Sequence, residues 1–312
     1  MPSKRETGLL TVAAIHRPKG RRSIECYFNE RQRIFVLPPT VRGFEQVTKL
    51  LEESIRRKAP VSVALDLKRG VVERIEAPKP HVIEEFKRKR TFLEDPERSV
   101  RIKVSEIDPT IFNVVDRYLK WKCFRKCKKV IPNYKKAKQI FDFCAKQSCH
   151  LGGPYNITPC IPFQYVRDGC YARAHKMRWI ITTKYRYCCE KVFSFANQYP
   201  QRLAVQANKW GGCCVTWWYH VAPLVRVRLG SFGVLAMVID PGMFDKPVLL
   251  STWLAAQENT NCDPNANVTM YSIQPGSAYW PANNAGTQFG TDPNYTQTDS
   301  TLNNYHNLTT CP

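Results

Sequence analysis

The distribution of cysteines is the sequence feature that most restricts how this chain folds. Of its thirteen cysteines only Cys26 precedes residue 120. Cys123 and Cys127 are not followed by a second pair of ligands at zinc-site spacing, and the doublets Cys188-Cys189 and Cys213-Cys214 are poorly placed to bind one tetrahedral ion. The sequence therefore predicts no metal site. It predicts a disulfide-linked C-terminal domain of the secreted type, and the odd number leaves at least one thiol free.

The first ninety residues predict a small α+β domain. Alternating apolar residues indicate strands, and apolar residues at helical spacing indicate helices. The expected strands cover 7–16, 24–37, 61–67 and 71–75, and the expected helices cover 44–55 and 83–89. Nothing in this part suggests a catalytic group. The tail from residue 257 has few helix formers, and we expect it to form loops and short strands held by Cys262 and Cys311.

Residues 91–129 predict a basic linker between this domain, residues 1–90, and a second domain, residues 130–312. Exposed basic segments are where trypsin-like proteases cut, so we expect an activating cleavage here. Residues 1–150 carry a net charge of +17 and residues 151–312 a net charge of +4, which makes nucleic acid the competing partner. Aromatic residues are not regularly interleaved with the basic ones, so we do not expect nucleic acid to bind.

Cys170 is the first candidate for chemistry. Gly169 interrupts the chain before it, and Tyr171 to Ile181 consists mostly of good helix formers, so the cysteine is expected at a helix N-terminus. The partial positive charge there stabilises a thiolate, and the free backbone amide can bind an oxyanion. A buried structural or disulfide-bonded cysteine is the alternative. His175 follows on the same helix but points about 140° away, at ~100° per residue.

His220 and Asp240 are the candidates for the base and its partner. His220 lies within an apolar strand, where a lone histidine can also be structural. Asp240 ends the next apolar strand, and a turn at Gly230–Gly233 would make the two strands antiparallel neighbours. A cysteine nucleophile needs an imidazole to take its proton and an acceptor to orient that imidazole. The three residues together predict the arrangement of the papain and transglutaminase group.

Three segments resemble the active-site motifs of the bacterial protein-glutaminases, a family of protein-glutamine deamidases. They are Asp168-Gly-Cys-Tyr-Ala-Arg-Ala-His-Lys-Met-Arg178, Cys213-Cys-Val-Thr-Trp-Trp-Tyr-His-Val-Ala222 and Ile239-Asp-Pro-Gly-Met-Phe244. They occur in order within residues 130–250, and residues 1–90 resemble the family's pro-region more weakly. The resemblance implies catalytic roles for Cys170, His220 and Asp240.

The resemblance further implies an α+β zymogen. A small α+β pro-domain would precede a papain/transglutaminase-like catalytic domain, with a central antiparallel sheet and the nucleophile at a helix N-terminus. We expect deamidation of glutamine side chains through a thioester without any cofactor, and a substrate cleft lined by Tyr171, Trp217, Trp218 and Tyr219. Gln32, with Arg31, is a candidate cleft blocker because Gln32 carries the carboxamide of a substrate. A plain surface turn is the alternative for these two residues.

The expected partners are glutamine-containing proteins or peptides and an activating protease, with the enzyme a monomer. No apolar run approaches the ~18 residues of a membrane helix. The N-terminus is not a signal peptide, so the chain is either cytoplasmic or has lost its signal, and the cysteine usage favours secretion. Other activities stay open at this point. The same three residues would serve a transglutaminase or a papain-like protease, and a non-enzymatic basic secreted binding protein would use its cysteines for structure alone.

Overall fold

The computed structural model describes residues 4–92, 100–103 and 127–311. The chain is α+β and divides into two units. The first contains residues 1–94 together with 280–291, and the second contains residues 95–279 together with 292–312. Among the described residues, no helix combines the length and apolar character that a bilayer crossing demands.

The first unit is built on a closed five-stranded barrel. The strands follow the order β1 (Arg5–His16), β2 (Ile24–Phe28), β3 (Phe35–Leu37), β5 (Val71–Glu76) and β4 (Pro60–Asp66). Helix α1 (Phe44–Arg57) buries Val47 and Leu51 along one face, as its apolar spacing predicts. Helix α2 (Pro80–Lys89) follows the barrel, and β6 (Thr91–Phe92) pairs with β16 (Phe289–Thr291).

The expected single strand over residues 24–37 is wrong, because the chain forms β2 and β3 with a turn between them. Asn29 and Glu30 turn the chain, and a Glu30 carboxylate oxygen accepts a hydrogen bond from the Thr11 backbone amide at 2.9 Å. The Arg33 side chain donates to the Leu67 carbonyl. Polar contacts inside the unit therefore outweigh the apolar pattern that favoured one continuous strand.

The second unit contains the predicted central antiparallel sheet. Its strand order is β13 (Val248–Leu249), β12 (Val234–Val238), β11 (Tyr219–Arg228), β8 (Glu190–Phe195), β14 (Met270–Gln274) and β7 (Val100–Lys103). Two shorter strands, β9 (Leu203–Gln206) and β10 (Cys214–Trp217), pair with each other. Helix α4 (Cys170–Thr183) packs on β11. Helices α3 (Tyr134–Ala145) and α5 (Leu250–Ala255) also belong to this unit.

Part of the region predicted as a linker is ordered, since β7 lies within it and pairs with β14. Residues 93–99 and 104–126, including Cys123 and most of the basic run, lie outside the described residues.

The tail forms β14, β15 (Ala278–Pro281) and β16 as short strands, but it also contains helix α6 (Thr296–Tyr305), which the composition did not predict. Packing explains the helix, because Thr298, Leu302 and Tyr305 are buried on one face and the Asp292 carboxylate accepts the Thr298 amide at 2.7 Å.

Within the described residues four disulfides confirm that the cysteines crosslink this part of the chain. They join Cys127 to Cys188, Cys149 to Cys160, Cys213 to Cys311 and Cys214 to Cys262. The last two hold the tail, as expected, and the members of each cysteine doublet take different partners or stay reduced. Among the described residues the free thiols are Cys26, Cys144, Cys170 and Cys189, and all four are buried.

Candidate active site

Cys170 is the first residue of α4, as the sequence predicts. Gly169 precedes it with a φ of 80°, in the left-handed region. A Cβ atom at this position would lie 2.7 Å from the Tyr305 ring, so glycine is required for space as well. Asp168 fixes the same loop, because Oδ1 accepts the Gly169 amide at 2.8 Å and Oδ2 accepts the Tyr305 hydroxyl at 2.7 Å. These contacts hold the cysteine at the positive end of the helix.

His220 and Asp240 meet as the predicted hairpin requires. β11 and β12 are antiparallel, with Leu224 opposite Val238, and Asp240 follows the end of β12. The His220 Nε2 atom lies 2.9 Å from Asp240 Oδ2. With Nε2–H donating to the carboxylate, Nδ1 is the ring nitrogen that carries the lone pair and can accept a proton. The strand that carries His220 is the strand on which α4 packs, so the fold brings the cysteine helix and the histidine–aspartate pair together.

Two tryptophans enclose the imidazole. The Trp217 ring stacks on His220 with centroids 4.6 Å apart, and the Trp253 ring does so at 5.3 Å. Trp253 Nε1 donates to Asp240 Oδ2 at 3.0 Å, and Trp217 Nε1 donates to the Val166 carbonyl at 2.9 Å. Trp253 therefore links the histidine to its carboxylate, while Trp217 links it to the loop that precedes the cysteine.

Burial sets the charge states of this group. Desolvation lowers the pKa of His220, and the hydrogen bond to Asp240 opposes this only in part. Burial also acts to raise the pKa of Asp240, but the hydrogen bonds from His220 and Trp253 outweigh it and hold that pKa below its usual value. The pair is accordingly a neutral imidazole facing an ionised carboxylate at neutral pH.

Cys170 is in its neutral form in the intact chain. Its side chain is buried, which raises the pKa of the thiol well above its usual value. The positive charge of Arg173 and a hydrogen bond from the Val221 backbone lower that pKa, and the charge of Asp168 raises it further. The environment contains the groups that favour a thiolate, but burial dominates them in this state.

Sequence reasoning missed Arg173 and Trp253. Arg173 lies one helical turn after Cys170 and is buried, where its Nη1 donates to the backbone carbonyls of Tyr165 at 2.7 Å and Asp168 at 2.6 Å. The spacing of three residues on one helix could have drawn attention to it. Trp253 lies on α5, far from the motifs, and nothing in the sequence places it beside His220.

His175 is excluded as the base by its contacts. Its Nδ1 faces the buried Lys191 Nζ atom, 2.7 Å away, and its Nε2 lies 3.1 Å from the Asp292 carbonyl. Burial lowers the pKa of His175, and Lys191 lowers it further.

The four cleft candidates are all buried in the intact chain. Trp217 contacts His220 as described, Trp218 packs edge-on against Tyr219, and Tyr171 packs against Tyr279. A cavity of the second unit has a volume of about 240 Å³. It is lined by Val166, Val205, Gln206, Ala207, Asn208, Lys209, Gly242, Met243, Phe244, Ala256 and Asn259. A role for the four aromatic residues in binding substrate stays a prediction.

Gln32 and Arg31 are not on the surface, so the alternative of a plain surface turn is wrong. Gln32 is 0% exposed, and Asn29 and Glu30 are also buried. The Arg31 guanidinium forms an ion pair with Glu6 at 2.8 Å within the first unit. The turn is packed as part of the fold.

One group of side chains within the described ranges has the composition of a metal site. Cys149, Cys160 and His306 each place a ligand atom within 4.8 Å of the others. The two sulfurs are joined in a disulfide, and the His306 Nδ1 atom lies 3.2 Å from the Cys160 sulfur. A disulfide offers no thiolate to a metal ion, so this cluster is a crosslink in the present structure.

Because the pKa of the Cys170 thiol is raised, alkylation of this residue in the intact chain is expected to be slow at neutral pH. Its rate should rise about tenfold per pH unit up to at least pH 9, since only the thiolate reacts and its fraction grows with pH below the pKa. Iodoacetamide labelling mapped by mass spectrometry measures this rate, and Cys170→Ser gives the background from the other thiols. A plateau between pH 6 and pH 7 would contradict the expectation.

The fold and the site define a class of enzyme: a helix that begins at a cysteine packs on the strand of a histidine, and that histidine is hydrogen-bonded to an aspartate just after the neighbouring antiparallel strand. The comparisons with known proteins identify the family within this class. Residues 137–257 match a family model described as glutaminase. That segment includes Cys170, His220, Asp240 and Trp253.

Solved structures of protein-glutaminases resemble the chain. A crystal structure of pro-protein-glutaminase is 28% identical, with a TM-score of 0.72 over 99% of this chain and 95% of that one. The NMR structure of protein-glutaminase from Chryseobacterium proteolyticum is 35% identical, with a TM-score of 0.51 over 59% of this chain and 92% of that one. A search of curated proteins gave no significant match. The chain belongs to the protein-glutaminase family.

Proposed function

We propose that this chain is the precursor of a protein-glutamine deamidase, which converts glutamine side chains of proteins to glutamate and releases ammonia. One observation carries the proposal. Cys170 begins a helix that packs on the strand of His220, and His220 is hydrogen-bonded to Asp240 within the segment that matches the glutaminase model. The nearly full-length match to pro-protein-glutaminase supports a precursor.

In the first half-reaction the Cys170 sulfur attacks the carboxamide carbon, and the thiol proton passes to His220 Nδ1. The oxyanion that forms is stabilised by the Cys170 backbone amide, which lies in the first turn of the helix. His220 then gives its proton to the nitrogen as the carbon–nitrogen bond breaks. Ammonia leaves, and the acyl group remains on sulfur as a thioester.

In the second half-reaction His220 takes a proton from water, and the hydroxide attacks the thioester carbon. The carbon–sulfur bond breaks, glutamate forms, and the cysteine regains its proton. Asp240 and Trp253 keep Nε2 of the imidazole protonated and its Nδ1 directed to the reaction throughout. Water and the three side chains account for every atom and proton, so the scheme uses no cofactor.

The proposal assigns residues 1–90 to an inhibitory pro-region and residues 91–129 to the segment that an activating protease cuts. Gln32, supported by Arg31, is kept as the group that blocks the cleft. The support for this role is chemical, because the Gln32 side chain carries the carboxamide of a substrate.

The proposed enzyme is a secreted monomer that acts on glutamine-containing proteins or peptides. The four disulfides support secretion, because such crosslinks form and persist in oxidising compartments. We expect each turnover to add a negative charge to the substrate, which lowers its isoelectric point and raises its solubility.

Ammonia release from casein, followed before and after limited trypsin treatment with electrophoresis in parallel, tests the proposal. We expect ammonia without peptide cleavage or crosslinking, and release at least tenfold faster after trypsin. Cys170→Ala treated in the same way corrects for ammonia from other sources. Crosslinked casein would indicate a transglutaminase, and cut casein would indicate a protease. Unchanged casein without ammonia release would indicate a binding protein. Each of these three results would contradict the proposal.

A further inference from the structure

The segment Trp280–Thr291 belongs to the first unit, although the residues on both sides of it in the sequence belong to the second. It forms a hairpin of two strands, the end of β15 and β16, and β6 extends this sheet as a third strand. Phe92 lies opposite Gly290 in the antiparallel pairing. A part of the chain that follows the linker is thus joined by backbone pairing to residues 91–92, where the predicted linker begins.

Arg90 connects the two parts through its side chain. Its guanidinium lies 4.3 Å from the centroid of the Trp280 ring and 4.6 Å from that of Phe86. It also forms an ion pair with Glu30 and donates to the Thr11 hydroxyl at 2.8 Å. Cation–π contacts are stronger when the cation is desolvated, and this arginine is largely buried.

The hairpin leaves space for the Trp280 ring against its second strand. A Cβ atom at Gly290 would lie 2.5 Å from the Trp280 ring, so the absence of a side chain there lets the indole lie against the strand. Trp280 is fully buried, and the Phe92 ring packs on its edge at 6.2 Å. The Asn29 side-chain amide also donates to the Ala282 carbonyl at 2.8 Å. Backbone pairing, ring packing and the charged Arg90 side chain therefore all join the hairpin to residues 1–92.

We propose that the hairpin Trp280–Thr291 is an anchor that keeps residues 1–92 bound after the linker has been cut. Cleavage between residues 104 and 126 leaves Arg90 and β6 attached to the barrel, so the inhibitory part stays in place without a covalent link. Cleavage within Lys87–Arg90 separates β6 or Arg90 from the barrel and releases the inhibitory part. A cut in the linker is then the first step of activation, and activity appears once residues 1–92 dissociate or are cut again within Lys87–Arg90. The inference rests on the proposed function in treating residues 1–90 as inhibitory.

Limited trypsin digestion of the full-length chain, followed by size-exclusion chromatography and mass spectrometry of each fraction, tests the anchor without reference to activity. For the wild type we expect fragments cut only between residues 104 and 126 to co-elute. The fragments of Arg90→Ala should bind each other more weakly, because the variant loses the cation–π contacts and the ion pair. We expect them to separate already at a protein concentration about tenfold or more above the one at which the wild-type fragments separate. Arg88→Ala is the matched control, since it also removes one trypsin site but changes an exposed side chain of α2.

Two further variants keep the test decisive if Arg90→Ala folds poorly. Arg90→Lys retains the charge and the trypsin site but loses the planar group that stacks on Trp280, so it should also weaken co-elution. Phe92→Ala changes a partly exposed ring that contacts Trp280, and we expect a smaller effect in the same direction. Equal co-elution of all variants, or immediate separation of the wild-type fragments, would overturn the anchor. If no form of the protein released ammonia, the proposed function would be wrong. The anchor would still be tested separately, by whether the fragments co-elute.

Discussion

Replacing Cys170 with alanine is expected to lower the rate of ammonia release by a factor of roughly 10⁴ to 10⁶, the range found when the nucleophile of a triad is removed. The loss is large because no neighbouring group can replace the sulfur. His220 Nε2 is held by Asp240, and His175 is held by Lys191 and the Asp292 carbonyl. The measurement is kcat/KM for ammonia release from casein by the trypsin-treated enzyme.

Cys144→Ala is the matched control for this change. Cys144 is also a buried free thiol, and burial raises its pKa as it does for Cys170, but it lies on α3. The control should release ammonia at a rate within about threefold of the wild type. Both variants should keep the wild-type thermal midpoint within a few degrees. Activity of Cys170→Ala above one hundredth of the wild-type value would exclude a cysteine nucleophile at this position.

The elements that hold the three catalytic candidates could be predicted from local sequence. Gly169 before a run of helix formers predicted that α4 begins at Cys170. Apolar strands on both sides of a glycine-rich turn predicted the antiparallel pairing that brings His220 to Asp240. Both signals lie within about 25 residues of the sequence, where the backbone preference of glycine and apolar alternation act directly.

The long-range contacts of the site could not be predicted from any local sequence pattern. Trp253 reaches Asp240 because α5 packs beside β12, and the pairing of the cysteine doublets depends on where the tail returns. Helix α6 shows the same limit, since its composition does not favour a helix and its buried face is recognised only once the packing is known. Contacts of this kind depend on tertiary structure that no local pattern specifies.

The turn at residues 29–33 was misjudged for a related physical reason. Its polar residues indicate a surface loop, yet a buried ion pair between Glu30 and Arg90 and hydrogen bonds to backbone groups satisfy them inside the unit. Buried polar groups are tolerated when they have partners, and partners distant in sequence cannot be inferred from composition.

One oxygen of the Asp240 carboxylate accepts two of its hydrogen bonds. His220 Nε2 and Trp253 Nε1 both donate to Oδ2, at 2.9 Å and 3.0 Å. An asparagine at this position can place its single carbonyl oxygen where Oδ2 lies and accept both hydrogen bonds. The imidazole would then keep its tautomer and orientation and lose only the negative charge beside it. Asparagine and alanine substitutions therefore separate orientation from charge at this site.

Asp240→Ala is expected to lower kcat by a factor of roughly 10⁴, as for loss of the aspartate from another triad, because Nε2 and the Trp253 indole both lose their acceptor. Asp240→Asn should lose only about 10-fold to 30-fold, the difference between a charged and a neutral acceptor. Measured kcat for ammonia release from casein by the trypsin-treated variants distinguishes the two, with Asp142→Asn, an exposed carboxylate that pairs with Lys138, as the control. If asparagine proved as damaging as alanine, the charge of Asp240 rather than the placement of its Oδ2 atom would be what His220 requires.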